Sequence, residues 1–296
     1  MLDPISLFRD AIRAADLEPP DAIVPGKKHR FPGAGKRTGN TAGWCILFDD
    51  CQGGFFGDWS SGLFEHWQAR RGKYLSHRDR EARRRRVAEA RLQAETERRA
   101  RHAAAGTEAL WIWSAAPSAK DDHPYLVRKG INANGVRLHL GRLLLPVYNF
   151  AGDLTSLQFI EPGGGKLLLK GGAKRGCFIP VAGEVSDTPT RVIICEGWAT
   201  GCTLAAMEPD AVVLAAIDAG NLELVAVAAR RRWPSANLAV AGDDDRLTPG
   251  NPGATKAHTA AIAANALLML PQWPDDAPKS LTDFNDLAMW LERGPA

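Results

Sequence analysis

The chain has 296 residues, long enough for two modest domains or one large one with a sizeable core. Apolar residues make up 45% and charged residues 24%, values that exclude wholesale disorder. The net charge of +3 excludes no class by itself, but its distribution is uneven. Thirteen Lys and Arg fall between Arg70 and Arg101 against five acids, so that segment carries +8 and the rest of the chain about −5.

Apolar stretches such as 260–264 and 266–271 are too short to span a bilayer. The opening MLDPISLFRD lacks the basic-then-apolar build of a signal peptide, so a cytoplasmic protein without membrane partners is expected. Cys45, Cys51, Cys177, Cys195 and Cys202 are odd in number and contain no CxxC pair. Neither a zinc ribbon nor a disulfide framework fits that spacing, so free thiols and no zinc are expected.

In chain order, Leu7, Ala11, Ile12 and Ala15 recur at helical spacing until Pro19-Pro20. The turn-rich stretch PGKKHRFPGAGKRTGNTAGW leads to two strands, Trp44–Phe48 and Gly54–Trp59, which turn at Asp49-Asp50. These elements form a first module, residues 1–69. Residues 70–105, rich in Arg, Ala, Glu and Gln, are predicted as one long exposed helical linker without a coiled-coil seam. A second globular stretch, 106–185, opens on Leu110, Trp111 and Trp113 and continues at Tyr125-Leu126-Val127. Leu143–Phe150 and Leu154–Glu161 pattern as a hairpin around Ala151-Gly152-Asp153. The run GGGKLLLKGGAKRG follows, and then a strand at Cys177–Val181.

Residues 186–296 alternate. Arg191–Cys195, Val212–Ile217 and Asn237–Ala241 read as strands, and Ala199–Met207, Leu222–Arg232 and Gly253–Leu268 as helices, the last ending near a strand-like Leu268–Leu270. Such alternation implies an α/β fold whose parallel sheet carries helices on both faces, with ligands at the carboxyl ends of the strands. Acids follow those ends: Glu196 after RVIIC, the run Asp243-Asp244-Asp245 after NLAVAG, and Asp283 and Asp286 in DFND. A single acid there is equally a helix cap or turn former. Three in a row repel unless cations or solvent relieve them, and carboxylates at i and i+2 of an extended segment can face one hard cation such as Mg²⁺.

CEGWATG, VLAAIDAGNL, VAGDDD with NPGATKA, and LP with LTDFNDLAMWL stand in the order of the landmarks of a Toprim domain. That fold is shared by bacterial-type primases, topoisomerases and some nucleases. The wording is most similar to primases of plasmids, phages and integrative elements. The resemblance implies a catalytic role for Glu196, Asp243 and Asp245, with Asp283 and Asp286 as further metal ligands for Mg²⁺ or Mn²⁺. It differs from cellular primases in the insertion RLTPGNP between the acids and Gly253.

Upstream, HPYLVRKGI, RLLLPVYNFAGDLTSLQFIE and KLLLKGGAKRGCFIPV resemble the α+β subdomain that precedes Toprim in primases. By position, the resemblance makes Lys166, Lys170, Lys174 and Arg175 candidates for holding template and incoming nucleotide; otherwise they form a solvated Lys-rich turn. In residues 1–69, RFP with GKRTGNTAGW and then GGFFGDWSSG resemble the small α+β leading module of mobile-element primases. There Lys27, Lys28, Arg30, Lys36 and Arg37 interleave with Phe31, Trp44, Phe55, Phe56 and Trp59, a mixture that suits single-stranded DNA, although the aromatics also suit a core. The Arg-rich helix reads either as a solvated linker or as a phosphate-tracking element.

No P-loop GxxxxGK[ST] occurs, so an unwinding helicase is expected in trans. The expectation is a DNA primase that uses NTPs and a single-stranded DNA template. The alternatives are a Toprim nuclease using the same acids and a non-catalytic DNA-binding replication accessory.

Overall fold

The computed structural model describes residues 3–69, 77–183 and 188–293. Arg70, Arg71, Lys73 and the expected 185/186 boundary lie outside the described residues, as do the side chains of Arg78, Arg80, Arg83, Arg84, Arg86 and Arg91. The chain divides into two compact units, Met1–Glu89 and Ala90–Ala296.

In the first unit, α1 (Pro4–Arg13) starts on the side chain of Asp3, which accepts from the Ser6 amide. Four antiparallel strands follow in sequential order: β1 (Lys28–Phe31), β2 (Gly43–Leu47), β3 (Gly53–Asp58) and β4 (Leu63–Gln68). Phe8 and Ile12 of α1 pack on Phe31, Cys45, Leu47 and Phe56, which form the core on one face of the sheet. Strands β1 and β4 add to the two that the sequence pattern predicts.

Helix α2 (His77–Ala115) is longer than expected, running through Gly106 and taking in Leu110, Trp111 and Trp113. No proline interrupts it before Pro117. The second unit continues with α3 (Pro124–Lys129), closed by Gly130 in the left-handed region. An antiparallel meander follows: β5 (Arg137–His139), β6 (Arg142–Tyr148), β7 (Leu154–Ile160) and β8 (Lys166–Leu168). Ala109 and Ile112 of α2, with Ala116 just past its end, pack on Leu144, Leu157 and Phe159.

The last sheet contains β9 (Ile179–Ala182), β10 (Arg191–Cys195), β11 (Val212–Ala215), β12 (Asn237–Ala241) and β13 (Leu267–Met269), in the order β13-β12-β10-β11-β9. The four later strands are parallel, whereas β9 joins the β11 edge antiparallel, so the sheet is mixed. Helices α4 (Trp198–Met207), α5 (Leu222–Arg232), α6 (Pro252–Ala263) and α7 (Phe284–Arg293) cover it. Ile193 and Cys195 face the core shared with α4, and Val192 and Ile194 the core shared with α5 and α6, the pattern of a strand buried on both faces. Helix α6 ends at Ala263 rather than running on to Leu268, because Asn265 adopts φ 47° and turns the chain into β13. Among the described residues no helix is long and apolar enough to cross a membrane.

Candidate active site

Strands β10, β11 and β12 deliver Glu196, Asp218 and Asp243–Asp245 past their carboxyl ends. Burial, then the negative charge of Glu196, Asp283 and Asp245, pushes the Asp243 carboxyl up to about 8 against the pull of Lys166. Its Oδ1 is buried without a hydrogen-bond partner. Glu196 is also raised, by burial first and then by Asp218 and Asp245, while a hydrogen bond from the Ala219 backbone and the charge of Lys166 oppose the shift.

Asp245 Oδ2 accepts the Gly253 amide at 2.9 Å at the start of α6. A Cβ on Gly253 would lie 2.6 Å from the Asp243 carbonyl, so only glycine lets α6 begin this close to the acids. Asp244 is used structurally. Its Oδ1 accepts from Asn251 Nδ2 at 2.6 Å and its Oδ2 from Trp273 Nε1 at 2.9 Å, beside Arg246. The inserted RLTPGNP thus supplies Arg246 and Asn251, which tie down the middle acid.

Among the described residues no three His, Cys, Asp or Glu side chains stand as a finished ligand set. The donors nonetheless suit a hard divalent ion. They are carboxylate oxygens, one of them buried and orphaned, held against mutual repulsion that a cation would relieve.

Comparison with known protein families matches residues 191–295 to the Toprim domain model. Residues 191–295 form a Toprim domain. Two Escherichia coli proteins named DNA primase TraC are similar to the chain. One is 32% identical over 265 residues, covering 84% of this chain and 24% of the relative. The other is 30% identical over 305 residues, covering 95% and 21%. The chain therefore spans about a quarter or less of the length of these relatives. The primase fragment of the bacteriophage T7 primase-helicase protein aligns over 88% of this chain and 94% of its own, at 11% identity and a TM-score of 0.42.

The distal acids of the Toprim domain share Lys129, which stands 4.0 Å from Asp283, but differ in their other partners. Asp283 lies within electrostatic reach of Asp243. Asp286 turns to Lys129, at 3.2 Å, and accepts the Thr282 amide at 3.1 Å; its own amide donates to Asp283. Of the basic candidates, Lys166 acts on Glu196 and Asp243, and Lys174 pairs with Asp218. Lys170 is exposed, and Arg175 opens on a groove with Arg98, Arg99 and Tyr148.

Sequence reasoning did not single out Asp218 or Asn221, although both lie in AIDAGN immediately after β11. Ile217 before them adopts φ 78°, an uncommon conformation for a β-branched residue, of the kind that persists where surrounding structure over-determines it. Buried Asn221 supplies that restraint: its Nδ2 donates to the carbonyls of Ala216, Cys177 and Lys174, and its Oδ1 accepts the Gly176 amide. It thereby fastens the Lys174–Arg175 loop to the strand end.

In the first unit Lys27, Lys28, Arg30, Lys36 and Arg37 are all exposed. Phe56 belongs to the core, whereas Trp59 is 61% exposed. The GDWSSG stretch has a structural part to play. Asp58 accepts from the Ala34 and Ser60 amides and the Ser60 hydroxyl, which fixes the loop bearing Lys36 and Arg37.

Proposed function

We propose that the chain is the primer-synthesising part of a DNA primase of a plasmid, phage or integrative element. It would make short RNA primers from NTPs on single-stranded DNA. What carries the reading is the acidic strand-end set, with its orphaned Asp243 oxygen beside Lys166, in a Toprim domain whose curated relatives are named DNA primases.

In this reading Asp243 and Asp245 hold the metal, joined by Asp283, and Glu196 either ligates it or takes the proton of the attacking 3′-hydroxyl. Bound Mg²⁺, or Mn²⁺, would offset charge on the attacking and leaving oxygens of an in-line displacement at the α-phosphate. Lys166, Lys170, Lys174 and Arg175 orient template and triphosphate, Lys as flexible point charges and Arg as a planar fork. Lys174 exchanges its Asp218 carboxylate for a phosphate as the nucleotide enters. Asp286 contributes by fixing Lys129 and the Thr282 turn. Lys27, Lys28, Arg30, Lys36 and Arg37 grip the template backbone. A cytoplasmic setting and a replicative helicase in trans complete the reading.

The test incubates the protein with single-stranded DNA, labelled NTPs and Mg²⁺. New oligonucleotides, lost in Glu196→Gln and Asp243→Asn with DNA binding retained, are the expected result. Shortened DNA would establish a nuclease instead, and DNA binding without turnover an accessory protein; either outcome overturns the primase reading.

A further inference from the structure

The first unit leaves one face of its sheet uncovered by α1. Cross-strand register places residues on that face in two rows, because directly opposed residues share a face. One row runs Lys28, Ile46, Phe55, His66; the next runs Arg30, Trp44, Gly57, Phe64. The opposite face carries Cys45, Leu47 and Phe56 against Phe8 of α1. The open face is aromatic although, among the described residues, the unit's core cluster lies on the other face.

Trp59, just past β3, stacks on Trp44 with ring centroids 5.5 Å apart and planes 26° apart. Phe64 leans on Trp44 and Phe55 at 5.7 and 5.4 Å. Trp59 and Phe64 are 61% and 63% exposed. Gly57 permits this layout, since a Cβ there would press within 3.2 Å of Trp44 Nε1. Lys28 Nζ stands 4.9 Å from the Trp44 ring centroid and 5.2 Å from that of Trp59. The two rows hold Lys28 and Arg30 and no carboxylate. Lys27, Lys36 and Arg37 are exposed elsewhere in the same unit.

We propose that this open sheet face is a stacking platform for the unpaired bases of single-stranded nucleic acid. Bases lie on Trp59 and Phe64, Trp44 backs them from below, and Lys28 and Arg30 meet the flanking phosphates. Flat exposed rings suit any base through its π-face, and cations set among them suit a polyanion. A protein partner with an apolar surface would instead meet two cations along the β1 side of the face, Lys28 among them set over the Trp44 and Trp59 rings. The inference rests on the template-binding part of the proposed function and names the surface that performs it.

The experiment titrates the full chain with a fluorescent oligo-dT and with an abasic oligonucleotide of equal length, at several salt concentrations. The wild type is expected to prefer dT. Trp59→Ala and Phe64→Ala should each weaken dT binding roughly tenfold, as expected for a lost stacking partner, while leaving the salt dependence unchanged. Lys28→Ala should weaken both oligonucleotides and flatten the salt dependence by about one phosphate contact. Trp59→Phe should restore most of the dT preference. Because Trp59 and Phe64 are largely exposed, their removal leaves the core intact, which unchanged thermal unfolding verifies.

Wild-type dT affinity in both Ala variants, or equal binding of dT and abasic strands by the wild type, overturns the proposal. Primer synthesis is measured in parallel. If the wild type makes primers while Trp59→Ala binds dT normally, the platform fails and the primase reading stands. If no primers form but dT preference depends on Trp59, the primase reading fails and the platform stands.

Discussion

Asn221 Nδ2 donates to the carbonyl of Lys174 at 3.1 Å, and its Oδ1 accepts the amide of Gly176 at 2.8 Å, so one buried side chain from the end of β11 sets the backbone of a basic loop 44 to 47 residues upstream. Removing it strands the buried carbonyls of Cys177 and Ala216, which it also satisfies. Asn221→Ala is therefore expected to destabilise the fold by roughly 2–4 kcal/mol, since each buried group left unsatisfied costs about 1–3 kcal/mol. Denaturant unfolding measures the loss. Hydrogen exchange should show Gly176 opening; protection of that amide equal to wild type would refute the restraint.

The acidic set predicts a pH response without divalent ion. Asp243, raised to about 8, holds its proton more readily folded than unfolded. Stability should then be greatest where the group is protonated and fall as pH climbs from its ordinary carboxylate range through about 8. Thermal unfolding in a chelator between about pH 5 and pH 8.5 should show a falling midpoint. Asp243→Asn should flatten that decline. Mg²⁺ should raise the wild-type midpoint at the alkaline end and leave the variant nearly unmoved.

Asp58 makes a separate case in the first unit. Hydrogen bonds from Ser60 come first among the causes that hold its carboxyl below the usual range, followed by that from Ala34 and the charge of Lys36, against a cost of burial. A depressed carboxylate contributes stability above its ordinary pKa and loses it as pH falls through the folded value. Asp58→Ala should speed exchange of the Ala34 and Ser60 amides and weaken single-stranded DNA binding through the Lys36–Arg37 loop. Unchanged exchange at Ala34 would show that the loop holds its shape without the carboxylate.

The sheet of the Toprim domain was legible because RVIIC and NLAVA are uninterrupted buried runs, and its acids were legible because they follow those runs directly. Strand β4 was not. Phe64, Glu65, His66 and Trp67 place rings on both faces, so hydrophobic and polar residues do not alternate. Helix α2 outruns the predicted end at residue 105, where the composition turns globular; Gly106 sits in mid-helix where a Cβ would come within 3.2 Å of the Leu154 carbonyl. Sequence spacing divided the labour among neighbouring acids only in part. The i and i+2 spacing and the resemblance single out Asp243 and Asp245, but what Asp244 does emerges only from the folded positions of Asn251 and Trp273.

The same separation distinguishes Asp283 from Asp286. Both carboxylates are partly buried and both approach Lys129, Asp286 at 3.2 Å and Asp283 at 4.0 Å, but Asp286 also caps the Thr282 amide, whereas Asp283 acts on Asp243 across the acidic set. Asp286→Asn keeps an acceptor for Thr282 but loses the ion pair, which should cost about 1 kcal/mol of stability. It should leave the Mg²⁺-dependent rise in unfolding midpoint intact, because no charge is removed from the strand-end set. Asp283→Asn should reverse the pattern. Relieving one negative neighbour lets Asp243 ionise more easily, so the metal-free protein gains stability at alkaline pH while the Mg²⁺-dependent rise shrinks. The two variants measured side by side, with and without Mg²⁺, decide the assignment; a smaller Mg²⁺ effect in Asp286→Asn than in Asp283→Asn would place Asp286 among the metal-facing acids instead.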